Sequence, residues 1–199
     1  MNILILNSSV LGDRSISRAL VGEVVQRLMR ASPGSTFVRR DFGSEPIPHL
    51  TAANVAGIRA DPDTITEHAA RHISDELISE LRAADTVVIG APMYNFSIST
   101  GLRSWFDYVL RAGVTFSYSE SGPKGLLTGK RVIVVKSRGG SCSEGVGREL
   151  DFQEPYLRHL LGIMGLTDVT FIRAEMTNYA PDVREASLAA ARQAIALLA

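Results

Sequence analysis

Residues 2–17 read NILILNSSVLGDRSIS, and this stretch decides the fold class. Asn2 to Leu6 is apolar after its first residue, which is typical of a strand buried on both faces of a parallel sheet. A polar loop follows. From Ser17 onwards, apolar residues recur at helical spacing until the turn signal at 32–34 ends the run. The stretch therefore predicts a central strand, a loop and the first helix of an alternating α/β chain.

The same alternation continues along the rest of the chain. Further strands are predicted at 36–40, 86–91, 132–135 and 169–172, and further helices around 73–81, 102–110, 156–164 and 181–198. This pattern predicts one domain, residues 1–199, with a five-stranded parallel sheet covered by helices on both faces. Two segments lie outside the alternation. Residues 115–118 predict a small hairpin, and the long connection 43–62 is expected to serve a function or an interface.

The composition is that of an ordinary globular protein. Apolar residues make up 45% and charged residues 21% of the chain, and 21 basic residues balance 21 acidic ones. Because the charges balance, no basic surface and no nucleic-acid partner is expected. No membrane partner is expected either, because the first apolar run is too short for a signal or spanning segment. The single cysteine, Cys142, excludes an internal disulfide, and no Cys/His cluster has metal-ligand spacing. We expect a cytoplasmic protein without a metal site.

The loop after the first strand carries the first candidate binding residues. In doubly wound α/β folds, ligands bind at the carboxyl ends of the strands, where the strand order reverses. Ser9, Ser15, Ile16 and Ser17 place hydroxyls and free backbone N–H groups at the start of a helix, which suits a monophosphate. No GxGxxG fingerprint or P-loop lysine indicates a dinucleotide or triphosphate. The alternative is plain helix capping by Ser15.

The loop after the third strand is more apolar and aromatic than a solvated turn. Met93, Tyr94 and Phe96 would be exposed unless a flat apolar group, such as an isoalloxazine ring, covered them. Asn95 can both donate to and accept from the edge of such a ring. The alternative is that these side chains pack against a helix or a partner subunit.

The loop after the fourth predicted strand reads Ser137-Arg138-Gly139-Gly140. Two successive glycines allow the backbone to approach a ligand closely and to direct N–H groups at it. Donors near the pyrimidine end of a flavin would stabilise the negative charge of its reduced state. The alternative is a tight turn without a ligand.

These segments together resemble the bacterial FMN-dependent NADH:azoreductase family. The resemblance rests on MYNFSIST at 93–100, RAGVTF at 111–116 and SRGG at 137–140, and it extends along the whole chain, including QEPYL at 153–157. It implies a flavodoxin-like fold with strand order 2-1-3-4-5. It also implies a homodimer with one FMN per subunit at the dimer interface, which reduces small aromatic quinones and azo compounds with NADH.

The resemblance also assigns residues by position. The implied FMN contacts are Ser9, Ser15, Ile16, Ser17, Met93, Tyr94, Asn95, Phe96, Ser137, Arg138, Gly139 and Gly140. Departures from the family pattern occur at Ser141, at Cys142 and around Phe152. The expected substrate pocket contains Phe116, Tyr118 and Phe152, with Phe116 and Tyr118 as a lid over the flavin. The alternative for those two is hydrophobic packing within the hairpin.

The expected reaction has two steps. NADH passes a hydride to flavin N5, NAD leaves, and the oxidant then takes its place against the same ring face. No catalytic side chain is assigned, because no histidine has an acid or nucleophile beside it in a motif. Two alternatives stay open: an FMN electron carrier that docks to redox proteins, and a non-catalytic dimeric module. Carriers rely on a strongly charged docking face, which the balanced charge does not favour.

Overall fold

Five parallel strands form the central sheet of the computed structural model, which describes residues 1–120, 122–142 and 145–198. Strands are numbered along the chain, and two of them, β4 and β5, form a separate hairpin. Their bounds are β1 Asn2–Asn7, β2 Thr36–Asp41, β3 Thr86–Pro92, β4 Phe116–Ser119, β5 Gly122–Gly125, β6 Arg131–Ser137 and β7 Asp168–Ala174. The order in the sheet is β2-β1-β3-β6-β7. It differs in numbering from the predicted 2-1-3-4-5, because the hairpin strands β4 and β5 come between β3 and β6 along the chain. The strand order reverses beside β1, where the sequence places its first binding loop.

Helices follow the strands as the sequence predicts, with two differences. Their bounds are α1 Ile16–Ala31, α2 Val55–Arg59, α3 Ile65–Ala83, α4 Thr100–Val109, α5 Glu154–Met164 and α6 Pro181–Ala196. A capping box between Thr64 and Glu67 starts α3 eight residues before the predicted apolar stripe. The long connection 43–62 contains the short α2, which shows no periodicity in the sequence. None of the helices among the described residues has both the length and the apolarity to cross a bilayer.

The sheet is buried between two hydrophobic layers. Alternate residues of each strand point to opposite faces, so Leu4 packs in one layer and Ile3 in the other. Helices α1 and α6 cover the Ile3 face, and α3, α4 and α5 cover the Leu4 face. Trp105 of α4 is fully buried in the second layer. Burial of a side chain of that size contributes about 3 kcal/mol to the stability of the fold. Because the two layers bury both faces of the sheet, they hold the strand ends in place.

The predicted hairpin is confirmed as the antiparallel pair β4 and β5. Its base packs on the end of α5: the Leu127 N–H donates to the Met164 carbonyl at 2.9 Å, and a Cβ on Gly125 would lie 2.1 Å from the backbone nitrogen of Gly165. Helices of a parallel α/β fold run opposite to the strands, so the end of α5 lies toward the amino ends of the strands. The base of the hairpin is therefore on the side of the sheet away from the loops predicted to bind the ligand.

Candidate functional site

A cleft of about 200 Å³ lies at the carboxyl ends of β1, β3, β6 and β7. Its lining combines the three predicted loops with a fourth, after β7: Ser9, Leu11, Arg14, Ser15, Ile16, Pro92, Met93, Tyr94, Ser137, Arg138, Gly139, Thr177 and Asn178. Eight of the twelve predicted binding residues line this cleft. The structure therefore brings most of the predicted residues together at one edge of the sheet.

The other four predicted residues lie beside the cleft. Ser17 is buried, and its Oγ is 3.1 Å from the Oγ of Ser15. Asn95 and Phe96 form the tip of the turn after β3, and Gly140 follows the lining residue Gly139. A direct contact between these four residues and a ligand stays a prediction.

The start of α1 forms one end of the cleft. Ser15 caps this helix, because its Oγ accepts the Arg18 N–H at 3.2 Å. The N–H groups of Ile16 and Ser17 donate to no atom of the described residues. Capping and anion binding are therefore compatible here: Ser15 satisfies one donor, and two others remain for a ligand. The exposed Arg14 adds a positive charge that the sequence reasoning missed, although its place directly before the cap is the signal.

A tight turn after β3 forms one wall of the cleft. Tyr94 and Ser97 exchange two backbone hydrogen bonds of 3.0 Å, and the two residues between them have left-handed backbone, with φ of 46° for Asn95 and 68° for Phe96. Two positive φ angles are typical of a type I′ turn. Asparagine tolerates this region, but a phenylalanine there costs about 1 kcal/mol. The turn leaves the Phe96 ring about half exposed at the rim of the cleft.

The side chain of Tyr94 joins this wall to the loop after β1. The Val10 N–H donates to the Tyr94 hydroxyl at 3.2 Å, and the Ser9 Oγ lies 3.4 Å from the same oxygen. The two loops are separated by more than 80 residues in the chain, so the contact fixes their spacing across the cleft. Ser9 and Tyr94, both predicted to contact the cofactor, thus also contact each other.

The two glycines after β6 present backbone donors. The carbonyls of Gly139 and Gly140 accept N–H groups of Asn178 and Met176, at 3.3 and 3.1 Å. Their own N–H groups donate to no atom in the described part of the chain. Neither glycine has a positive φ. Gly139 is closely packed instead: a Cβ there would lie 2.4 Å from the Nδ2 of Asn178, so that side chain would have to shift.

Arg138 is a buried structural arginine as well as a residue of the lining. Its Nη1 is 2.8 Å from Asp151 Oδ2, and its Nε is 2.7 Å from Glu175 Oε1. Burial would raise the pKa of Asp151, but the Glu154 N–H and the Arg138 guanidinium outweigh this effect and lower the pKa to about 2. Two carboxylates therefore hold the guanidinium in place.

The three predicted substrate-pocket residues are in two different places. Phe152 is exposed and follows Asp151, so it lies at the edge that carries the cleft. Phe116 is buried in the hairpin, where its ring packs edge-on against Tyr118 at 5.4 Å, while Tyr118 is 77% exposed. The structure does not bring these two rings to the cleft of their own chain. Packing within the hairpin accounts for Phe116, and a role of Tyr118 over a ligand requires a second copy of the chain.

The loop after β7 is the part of the cleft that sequence reasoning missed. Thr177 Oγ1 donates to the Arg138 carbonyl at 3.1 Å, and Asn178 packs on Gly139. The available signal is the segment Glu175 to Asn178, three of whose four residues are polar, after the fifth predicted strand, the position at which the other binding loops occur.

Exposed apolar side chains surround the cleft. They are Val10, Leu11, Phe96, Phe152 and Tyr179, each between 48% and 65% exposed. A group of such residues on one edge marks a surface that a ligand or partner covers. No group of three or more His, Cys, Asp or Glu side chains within the described residues is arranged to hold a metal ion.

Comparison with known proteins agrees with this geometry. A family model described as "Flavodoxin-like fold" matches residues 1–198. The chain is 59% identical over 198 residues to the FMN-dependent NADH:quinone oxidoreductase of Hyphomonas neptunium, which covers 100% of this chain and 95% of that protein. It is 48% identical to the protein of the same name from Ralstonia nicotianae, over 98% of this chain and 95% of the relative. The chain belongs to this flavodoxin-like family.

Solved structures in the comparison have the same fold over their whole length. An azoreductase from Bacillus anthracis superimposes with a TM-score of 0.89 at 28% identity, covering 98% of this chain and 97% of that structure. A second Bacillus anthracis protein, an FMN-dependent NADH-azoreductase in complex with FMN, gives a TM-score of 0.86 at 21% identity, with 98% of each chain covered. The fold of this chain is thus the fold of these two solved structures.

Proposed function

We propose that this protein is an FMN-dependent NADH:quinone oxidoreductase that also reduces azo compounds. The observation that carries the proposal is the cleft, because its two ends have the chemistry of the two ends of FMN. One end offers the start of α1 and Arg14, and the other offers the Met93–Tyr94 wall and the donors after β6. The names of relatives that are 59% and 48% identical support the same assignment.

The residues present fit FMN. The N–H groups of Ile16 and Ser17, the helix dipole and Arg14 suit a phosphate that carries up to two negative charges. A Cβ added at Gly140 would meet no atom within 4 Å, so the backbone beside the cleft is open to a ring. The N–H groups of Gly139 and Gly140 are the donors for the polar edge of that ring.

FMN, when bound, supplies the two-electron chemistry that connects NADH to a quinone or azo oxidant. The protein has to position and shield the reactants. The Tyr94 bridge and the Arg138 ion pairs fix the walls before any ligand arrives, which lowers the cost of binding. NADH and the oxidant use the same open face of the cleft in turn, which makes the reaction ping-pong.

A homodimer completes the site in this proposal. The cleft is open, and the apolar residues around it need a cover. The exposed Tyr118 belongs to a hairpin whose base lies on the other side of its own sheet, so it is available to a second copy. A partner surface over the cleft would also exclude water from the reduced cofactor.

The decisive experiment is an absorbance spectrum of the purified protein, followed by anaerobic addition of NADH and then of a quinone. We expect a flavin spectrum that bleaches with NADH and returns with the quinone. A flavin spectrum that NADH does not change would favour an electron carrier, and a colourless protein that FMN cannot reconstitute would favour a non-catalytic module. Light scattering over a dilution series tests the dimer separately, since a monomer with full activity refutes only the shared site.

A further inference from the structure

A second cavity, of about 590 Å³, lies next to the cleft and shares Arg138 with it. Four arginines line this arginine cavity, against two carboxylates: Arg138, Arg148, Arg158, Arg173, Asp151 and Glu154. The chain as a whole is neutral, with 21 basic and 21 acidic residues, so this excess of positive charge is local. Cavities lined by one sign of charge concentrate ligands of the opposite sign.

One carboxylate holds two of these four arginines and the neighbouring Lys136. Glu154 accepts hydrogen bonds from Lys136 at 2.5 Å, from Arg158 at 2.8 Å and from Arg173 at 2.7 Å. Burial would raise the pKa of Glu154, but Lys136 and the two arginines outweigh that effect and lower the pKa to about 2. The carboxylate is therefore ionised at neutral pH. Its single charge is shared by three cations, which leaves the cavity wall positive.

The guanidinium groups are also fixed in position. The Cζ atoms of Arg158 and Arg173 lie 4.4 and 5.8 Å from the centroid of the Phe171 ring. Both arginines use Nε and Nη2 for Glu154, and the Nη1 of neither donates to a described residue. Arg148 forms no ion pair with any described residue. Preordered guanidiniums with unused N–H donors recognise phosphate, because their planar fork matches two of its oxygens.

We propose that the arginine cavity binds the phosphate groups of the nicotinamide dinucleotide donor while its nicotinamide lies in the cleft. This inference rests on the proposed function. A dinucleotide needs a phosphate site, and the sequence carries no GxGxxG fingerprint to provide one. The start of α1 is taken by the FMN phosphate. Arg138 lines both spaces, so the arginine cavity lies beside the cleft, within reach of a ligand as long as a dinucleotide.

The test compares two hydride donors in the FMN-loaded enzyme. NADH carries the phosphates, and N-benzyl-1,4-dihydronicotinamide carries the same reactive ring without them. For the double variant Arg148→Ala/Arg158→Ala, we expect kcat/KM with NADH to fall roughly tenfold or more. We expect kcat/KM with the phosphate-free donor to stay unchanged. Arg192→Ala is the matched control, because Arg192 has the same 52% side-chain exposure as Arg158 and also pairs with one glutamate.

A binding measurement supplies a readout that does not depend on turnover. Calorimetry with ADP-ribose, which has the two phosphates and no nicotinamide, should give a dissociation constant that rises roughly tenfold in the double variant. Inorganic pyrophosphate should compete with NADH and not with the phosphate-free donor.

Three outcomes would overturn the inference. The first is unchanged ADP-ribose binding, and the second is an equal loss of kcat/KM with both hydride donors. The third is a loss confined to a sulfonated azo oxidant, which would assign the cavity to that substrate's anion. If neither donor reduces the flavin of the wild-type enzyme, the proposed function itself is wrong. That result differs from the three outcomes above, in which the wild-type enzyme is active.

Discussion

Replacing Arg14 by alanine should weaken FMN binding while leaving riboflavin binding unchanged. Arg14 lines the end of the cleft that the start of α1 forms, and it makes no ion pair with a described residue. Its charge is therefore available to a phosphate. Riboflavin has the same ring and ribityl chain as FMN but no phosphate, so the ratio of the two affinities isolates this interaction.

The expected loss is about tenfold in the dissociation constant of FMN. A hydrogen bond to a charged group contributes about 1.5 to 3 kcal/mol, and the exposure of Arg14 favours the lower value, since solvent screens the charge. A loss of about 1.5 kcal/mol corresponds to roughly one decade. In about 1 M salt the Debye length falls to about 3 Å, so the FMN dissociation constants of the wild type and the variant should become more similar.

Quenching of flavin fluorescence by the apoprotein measures both affinities. Arg30→Ala is the matched control: Arg30 is also an exposed arginine, at the other end of the same helix, and should leave both affinities unchanged. Equal losses for FMN and riboflavin in Arg14→Ala would show that the arginine acts on the loop and not on a phosphate. Wild-type affinity for FMN would refute the assignment of this end of the cleft.

Two further predictions concern residues around the cleft. Gly139→Ala should lower both the Tm and the FMN affinity, because its Cβ would lie 2.4 Å from the Asn178 side chain; adding Asn178→Ala should restore the Tm, and Gly140→Ala should leave it unchanged. If the double variant is as unstable as Gly139→Ala, the clash is not the cause. Glu154 has a folded-state pKa of about 2 against an ordinary 4.5, so the unfolded chain takes up its proton first as the pH falls. Urea unfolding of the apoprotein should therefore show stability that is lost progressively below about pH 5, by up to about 3 kcal/mol, and Glu154→Gln should flatten this part of the profile. An unchanged slope in that variant would argue against a strongly depressed pKa.

The fold and the grouping of the candidate binding loops could be predicted from the sequence for one physical reason. In a parallel α/β sheet, every loop that follows a strand meets at the same edge, so the loops after β1, β3 and β6 can be grouped without coordinates. The chemistry of each loop can then be judged from its residues, as with the Ser15 to Ser17 helix start. A hairpin was predicted at 115–118 from its alternation, and the structure contains it as the pair β4 and β5.

Side-chain partners across long sequence separations could not be predicted. The Tyr94 hydroxyl meets the Val10 N–H only because two strands are neighbours in the sheet, and nothing in either loop signals this contact. The turn at Asn95 and Phe96 was missed because a phenylalanine is a rare choice for left-handed backbone. The position of the Tyr118 hairpin could not be predicted either, because proximity along the chain does not say which edge of the sheet a hairpin occupies.

Arg138 illustrates how a predicted ligand contact can act through the backbone. Its guanidinium is almost completely buried between Asp151 and Glu175, which belong to the segment before α5 and to the loop after β7. Removing either carboxylate would leave a buried charge without full compensation, which typically costs several kcal/mol. The ion pairs therefore hold the loop after β6 between its two neighbours. Because that loop is held, the N–H groups of Gly139 and Gly140 stay beside the cleft in a fixed orientation, and they are the donors that a ring edge would meet.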